Sequence, residues 1–192
     1  MNVLLLGPQG AGKGTQAKRI SAEYGIPHVA TGDMLRAAIS AGTELGNQVE
    51  SIVNEGELVS DHLMIALIRE RLAQEDTSNG FILDGFPRTT AQAEALDHMF
   101  GEIGRNFDVI FALQIPDSVA FERLRRRAEL EGRADDTDEA IRRRLDNYHR
   151  ETEPLIEYYR TRGNLVPIHG ERSEGGVFAE IQTGLEQAAV AR

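Results

Sequence analysis

Between the apolar run Val3-Leu4-Leu5-Leu6 and a stretch of helical spacing from Thr15 to Tyr24 lies Gly7-Pro8-Gln9-Gly10-Ala11-Gly12-Lys13-Gly14-Thr15. Glycines at this spacing let successive backbone N–H groups turn toward one anion. A helix start behind them adds positive potential, and a lysine can reach the outer phosphates of a nucleotide. The strict phosphate-loop pattern puts Ser or Thr directly after the lysine, whereas Gly14 intervenes here before Thr15. A glycine-rich turn with no ligand is the plain alternative; strand, helix, spacing and lysine together argue against it. The chain has two lysines, Lys13 and Lys18, against 19 arginines, so composition alone does not put a lysine in this loop.

Two further groups could act with such a loop. Phe81-Ile82-Leu83-Asp84-Gly85-Phe86-Pro87-Arg88 is an apolar strand ending in a carboxylate, then a turn and an arginine. Alone, Asp before Gly is a turn former. Beyond the carboxyl end of a parallel strand, beside a phosphate loop, it is a carboxylate that can hold Mg²⁺ directly or through water, with Thr15 opposite. Nine of the arginines fall between Arg123 and Arg150, in a chain of formal charge −10. Guanidinium groups grip phosphate oxygens and stabilise charge moving in phosphoryl transfer. Equally, helix-surface arginines pair with Glu122, Glu129, Glu131, Glu139 and Glu151. Nothing distinguishes Arg125, Arg126, Arg142, Arg143 and Arg150 from such surface residues. The five histidines share no spacing and there is no cysteine, so neither a zinc site nor a Ser-His-Asp or Cys-His nucleophile is expected.

The elements that must position these groups alternate. Val3–Leu6, His28–Ala30, Phe81–Leu83, Val109–Leu113 and Leu165–Ile168 are short apolar runs separated by helical stretches. That pattern predicts an α/β fold with about five parallel strands and helices on both faces. From Thr31 to Gln74 the chain is mostly helical with breaks at Gly42, Gly46 and Gly56, longer than one crossover needs. A second helical stretch, Asp117 to Arg162, breaks near Gly132. One domain with two insertions accounts for 192 residues without repeats or linkers. The 31 Asp and Glu against 21 Lys and Arg disfavour a general nucleic-acid binder, and no run approaches 18 apolar residues. A soluble, cytoplasmic chain is expected.

In this order the pieces resemble the adenylate kinase family along essentially the whole length. The resemblance is carried by Gly-Pro-Gln-Gly-Ala-Gly-Lys-Gly-Thr-Gln from Gly7, Ala-Thr-Gly-Asp-Met-Leu-Arg from Ala30, Asp-Gly-Phe-Pro-Arg from Asp84 with Gln92, Gly-Arg-Ala-Asp-Asp from Gly132, and Arg144-Leu-Asp-Asn-Tyr. It accounts for Gly14, since the family writes its loop Gly-Lys-Gly-Thr. It implies a P-loop NTPase-type core over 1–192, a helical nucleoside-monophosphate insertion at about 30–59 and a short lid at about 126–136. The implied activity is reversible Mg²⁺-dependent transfer of the γ-phosphoryl group of ATP to AMP, giving two ADP.

Residue by residue, the resemblance places ATP phosphates on Gly10, Ala11, Gly12, Lys13, Gly14 and Thr15, and the ATP base near Arg123 and the backbone of Arg172. AMP falls on Thr31, Arg36, Glu57, Leu58, Val59, Gly85, Phe86, Pro87, Arg88 and Gln92. Lys13, Arg88, Arg127, Arg133 and Arg144 converge on the transferring phosphoryl group, Arg133 and Arg144 also facing AMP. Thr15 and Asp84 hold Mg²⁺, and no zinc is implied. Gln9 replaces the second proline of the family's Pro-Pro, and five residues between Arg127 and Arg133 leave no room for a zinc-binding hairpin lid. The resemblance also implies a monomer serving adenine nucleotide balance, with no nucleic-acid or membrane partner. A kinase for UMP, CMP or GMP is the near rival. Thr31 and Gln92 oppose it, because pyrimidine-specific relatives carry Ala and Asn there. A nucleotide-binding module without transfer would not need Arg36, Arg88, Arg133 and Arg144.

Overall fold

The computed structural model describes residues 1–133 and 135–190. Ala134, inside both the Gly132–Asp136 motif and the 126–136 span, lies outside the described residues. Five strands, β1 (Asn2–Leu6), β2 (His28–Ala30), β3 (Phe81–Asp84), β4 (Val109–Gln114) and β5 (Leu165–His169), form one parallel sheet in the order β2-β3-β1-β4-β5. The helices are α1 (Lys13–Tyr24), α2 (Thr31–Ser40), α3 (Glu44–Asn54), α4 (Asp61–Leu72), α5 (Thr90–Ile103), α6 (Asp117–Glu131), α7 (Asp138–Asn147), α8 (Pro154–Arg160) and α9 (Glu174–Val190).

Both faces of the sheet are covered, which is why its strands carry continuous apolar runs. Leu4 and Leu6 of β1 pack in one cluster with Val49 of α3, Ile68 of α4, Leu96 of α5 and Tyr159 of α8. Their neighbours Val3 and Leu5 face the other way, onto Ile20 of α1 and Ile181 and Leu185 of α9. A third, small cluster joins α6 to α7 through Ala120, Leu124, Ile141 and Leu145. The two-residue period of strand side chains makes each face apolar in turn.

The helical breaks at Gly42 and Gly56 are present, but Gly46 is not a break. It sits in the first turn of α3, where its N–H donates to the capping Thr43 hydroxyl at 3.0 Å. The glycine is there for packing: a Cβ at this position would come within 2.2 Å of the Ala38 carbonyl oxygen of α2. Sequence patterning takes an isolated glycine as a break, and only the α2–α3 crossing shows otherwise.

The register sets the site. Leu5 of β1 lies opposite Asp84 of β3, so the loop after β1 and the turn after β3 leave the sheet side by side at its carboxyl edge. That edge is where ligands bind in open parallel sheets.

Candidate active site

The loop from Gly7 to Gly12 folds over the start of α1 with Gly10 at φ 84° and Gly12 at φ 91°, the latter capping the helix. Gly10 is also crowded, since a Cβ there would lie 2.8 Å from the Ala120 carbonyl oxygen of α6. The loop therefore needs glycine for both conformation and space. The Lys13 ammonium lies inside it, donating to the carbonyls of Gly7 at 2.7 Å and Pro8 at 2.9 Å. Burial pulls its pKa down to about 8; Asp84 opposes that shift, while Arg88 and Arg127 reinforce it.

Asp84 faces the same loop: a Cβ on Gly14 would be 3.8 Å from its Oδ2. Its other neighbour is His28 of β2, with Nε2 at 3.4 Å. Burial alone would raise the Asp84 carboxyl. The His28 hydrogen bond and the charges of Lys13 and Arg88 outweigh it and hold the group below its ordinary range, hence anionic.

On the far side of Asp84, Gly85 turns at φ 82°, and a Cβ there would come within 2.6 Å of the Thr31 hydroxyl. Thr31, buried at the start of α2, reaches the Asp84 carbonyl at 3.4 Å. Arg88 folds back so that its Nε donates to the Gly85 carbonyl at 2.8 Å. Its backbone N–H donates to Gln92 Oε1 at 2.8 Å, and Gln92 Nε2 donates to Asp61 Oδ1 of α4 at 2.8 Å. Burial lowers the Arg88 pKa from its usual value, with Arg144 and Arg36 pushing the same way, but a guanidinium remains protonated under any ordinary condition.

The arginines of α6 and α7 meet around two buried carboxylates. Arg127 grips Asp136 through two hydrogen bonds of 2.7 and 2.9 Å, and Arg144 reaches both Asp136 at 2.5 Å and Asp135 at 2.8 Å. Arg36 of α2 approaches Asp135 at 3.8 Å. Burial alone would raise the Asp135 carboxyl; the Arg144 hydrogen bond and the charges of Arg144, Arg36 and Arg133 lower it instead. Arg144 also donates to the Val53 carbonyl of α3 at 3.2 Å.

These groups line one cleft of about 600 Å³. Gly10 to Thr15, Thr31, Arg36, Glu57 to Val59, Asp84, Gly85, Pro87, Arg88, Gln92, Arg123, Arg127, Arg133, Arg144 and Arg172 all border it. Phe86 does not; its ring is buried in the core beneath β3. Arg123 donates to the Gly170 carbonyl at 3.0 Å, beside the loop. The side chain of Arg172 is exposed and turns to Glu180 of α9. Arg133 pairs with Glu131 at 2.7 Å. Of the arginines taken as surface residues, Arg125, Arg142 and Arg150 pair or stack outside the cleft, Arg143 pairs with Glu57 at its border, and Arg126 is exposed on its wall.

Several contributors escaped the sequence reading. Asp135 and Asp136 carry no role in the family resemblance, although an acidic pair beside an arginine belt is a signal for its counter-ions. Asp61, His28 and Thr152 carry no such signal, because each reaches the site across a long stretch of sequence.

A family model described as adenylate kinase matches residues 5–164. The chain belongs to the adenylate kinase family. Full-length relatives agree. It is 46% identical to an adenylate kinase of Caulobacter vibrioides, over 98% of this chain and 99% of that protein. The figures are 48%, over 98% and 100%, for one of Phenylobacterium zucineum, and 43%, over 97% and 99%, for one of Archaeoglobus fulgidus. As a member of the adenylate kinase family the protein is a phosphotransferase with a P-loop core. Among the described residues no helix is long and apolar enough to cross a membrane, and no three His, Cys, Asp or Glu side chains gather to hold a metal by themselves.

Proposed function

We propose that this chain transfers the γ-phosphoryl group of ATP to AMP, reversibly giving two ADP. The observation that carries the reading is the gathering of Lys13, Arg36, Arg88, Arg127 and Arg144 around one cleft, where Arg88 and Arg127 add to burial in lowering the Lys13 pKa and Arg144 and Arg36 add to burial in lowering that of Arg88. Asp33, Asp84, Asp135 and Asp136 offset part of this positive charge, and an anion bound between the cations would offset more of it. Two nucleotides with abutting phosphate chains supply that anion.

Position in the cleft supports the following roles. The Gly10–Thr15 amides and Lys13 take the ATP phosphates, the ammonium exchanging the Gly7 and Pro8 carbonyls for better-charged partners. Arg36 and Arg88 take the AMP phosphate; Thr31 and Gln92 face its base, the Gln92 amide keeping one N–H and one lone pair beyond its bonds to Arg88 and Asp61. Glu57 to Val59 and the turn from Gly85 complete that side. Arg123 stacks on the ATP base near Gly170 and the Arg172 backbone. Arg127, Arg133 and Arg144 surround the transferring group. Phosphoryl transfer asks for positioning and charge stabilisation and little else, so no general base is assigned.

Thr15 and Asp84 would hold Mg²⁺. The donors are a hydroxyl and one anionic carboxylate facing the loop, which suits a small hard cation that keeps several waters and binds substrate phosphates. When bound it neutralises phosphate charge during transfer. The helices at about 30–59 and the segment at about 126–136 act as covers that exclude water once both nucleotides are present, since water would otherwise take the phosphoryl group. We place the enzyme in the cytoplasm as a monomer; the large apolar side chains exposed among the described residues are Ile103, Leu130 and Val190, far apart in sequence.

The test is to mix the protein with ATP, Mg²⁺ and each of AMP, UMP, CMP and GMP, and to follow nucleoside diphosphates by ion-exchange chromatography. Fast conversion with AMP alone, abolished by chelating Mg²⁺, is expected. Preference for UMP or GMP would overturn the base-site roles of Thr31 and Gln92, and ATP binding without transfer would overturn the activity. Lys13→Met and Arg88→Ala are expected to keep the fold and lose about 10²- to 10³-fold in turnover.

A further inference from the structure

The backbone of Arg88 is held on both sides, at the peptide before it and the peptide after it. Its N–H donates to Gln92, and its carbonyl accepts from the hydroxyl of Thr152 at 2.8 Å, across 64 residues of sequence. Thr152 is buried and borders the cleft, yet it belongs to neither nucleotide side by sequence. It is the last residue of a wide, five-residue turn from Tyr148 to Thr152, in which the Glu153 N–H reaches back to the Tyr148 carbonyl at 2.8 Å. Such wide turns within helical segments gather at functional sites.

This turn joins the two halves of the phosphoryl site. It continues directly from α7, which carries Arg144, and its outer side is fastened by His149. That imidazole bonds Glu153 at 2.8 Å and Asp117, the first residue of α6, at 2.9 Å. Helix α6 carries Arg123 and Arg127. A single turn therefore connects α6 and α7 to the backbone of Arg88. The Arg88 side chain is held at its Nε by the Gly85 carbonyl, so the direction of the guanidinium is set jointly by that bond and by the backbone that Gln92 and Thr152 hold.

We infer that Thr152 is a positioning residue for the acceptor phosphate, holding the Arg88 backbone at the angle from which its guanidinium meets AMP. The inference rests on the reading of Arg88 as the AMP-phosphate ligand. If Thr152 only satisfied a buried carbonyl, its loss would lower stability without favouring one substrate over the other.

The experiment measures KM for AMP and for ATP, kcat and thermal midpoint in Thr152→Val, Thr152→Ser and Arg88→Ala. The NMR resonance of the Arg88 Nε–H is recorded in the wild type and the Thr152 variants. Thr152→Val is expected to raise KM for AMP about threefold to tenfold, the range one ordinary hydrogen bond allows, with KM for ATP unchanged. It should also shift or broaden the Arg88 resonance, and Thr152→Ser should restore both. An unchanged KM for AMP, or an equal rise for both substrates, would overturn the inference. If Thr152→Val does not fold, Thr152→Ala takes its place under the same criteria. Should Arg88→Ala leave KM for AMP unaltered, the reading of Arg88 falls first and the role of Thr152 with it; if only the Thr152 variants are silent, the reading of Arg88 stands.

Discussion

At the scale of single residues, the site is a set of charges whose affinities for protons are shifted from those in water. Lys13 is the clearest case. Its surroundings bring the pKa to about 8, so a sizeable fraction is neutral in mildly alkaline solution without ligand. Phosphate oxygens beside it favour the ammonium and raise that value. Binding ATP at about pH 8.5 is therefore expected to take up a proton, by the same reasoning. Calorimetry in two buffers of different ionisation enthalpy measures this uptake, and its absence would mean that Lys13 is already charged or does not meet the phosphates. Asp84 shows the opposite balance: burial disfavours its charge, and three cationic or hydrogen-bonding neighbours restore it. The phosphate loop and the strand-end carboxylate were both legible from residue order, because a glycine-rich segment between a strand and a helix has few other uses. The bond between Thr152 and Arg88 was not legible, since no local pattern relates a threonine after α7 to a carbonyl before α5.

Among the elements, the wide turn after α7 has a pH-sensitive fastening. His149 bonds Glu153 and Asp117, and those two contacts raise its pKa above the ordinary 6.5, against a small opposing effect of burial. Tyr148, packed edge-on to its ring, contributes no opposing charge in this range because burial pushes the phenol up to about 12. A group whose pKa is higher folded than unfolded contributes stability that is fully present below the unfolded value. That stability is lost as pH rises through the folded one. His149→Gln is thus expected to lower the thermal midpoint at about pH 5.5 and to have a smaller effect at about pH 9. A difference that does not change with pH would show that the ring acts by packing alone. The helices themselves were largely readable from their spacing, and their threonine caps at Thr43, Thr89 and Thr137 mark starts that local chemistry dictates. Gly46 misled because close approach of two helices leaves the same residue in a sequence as a helix break.

Across the whole molecule, Asp135 and Asp136 organise what the sequence presents only as an excess of arginine. Asp136 has no exposed side-chain surface and ties α6 to α7 through Arg127 and Arg144, while Asp135 extends the network to Arg36 of α2. Removing one partner of a buried pair leaves the other charge uncompensated. Asp136→Ala is expected to cost about 3 kcal/mol, the low end for buried pairs because Arg127 retains some solvent access, measured as a shift of the urea midpoint. An unchanged midpoint would show that the pair contributes no net stability.

The sequence by itself determined the layered α/β architecture, the phosphate loop, Asp84 and the family, because these depend on local periodicity and on short segments whose residues act together. Only the tertiary structure decided how the cleft arginines are paired, that the Phe86 ring leaves the cleft, and that Asp61 bonds Gln92, Asp135 and Asp136 bond Arg144, and Thr152 bonds the Arg88 carbonyl. Those assignments depend on where helices distant in sequence cross. A charged side chain on a helix surface looks the same in a sequence whether it faces water or another charge, and the packing of α6 and α7 over the sheet edge is what separates the two.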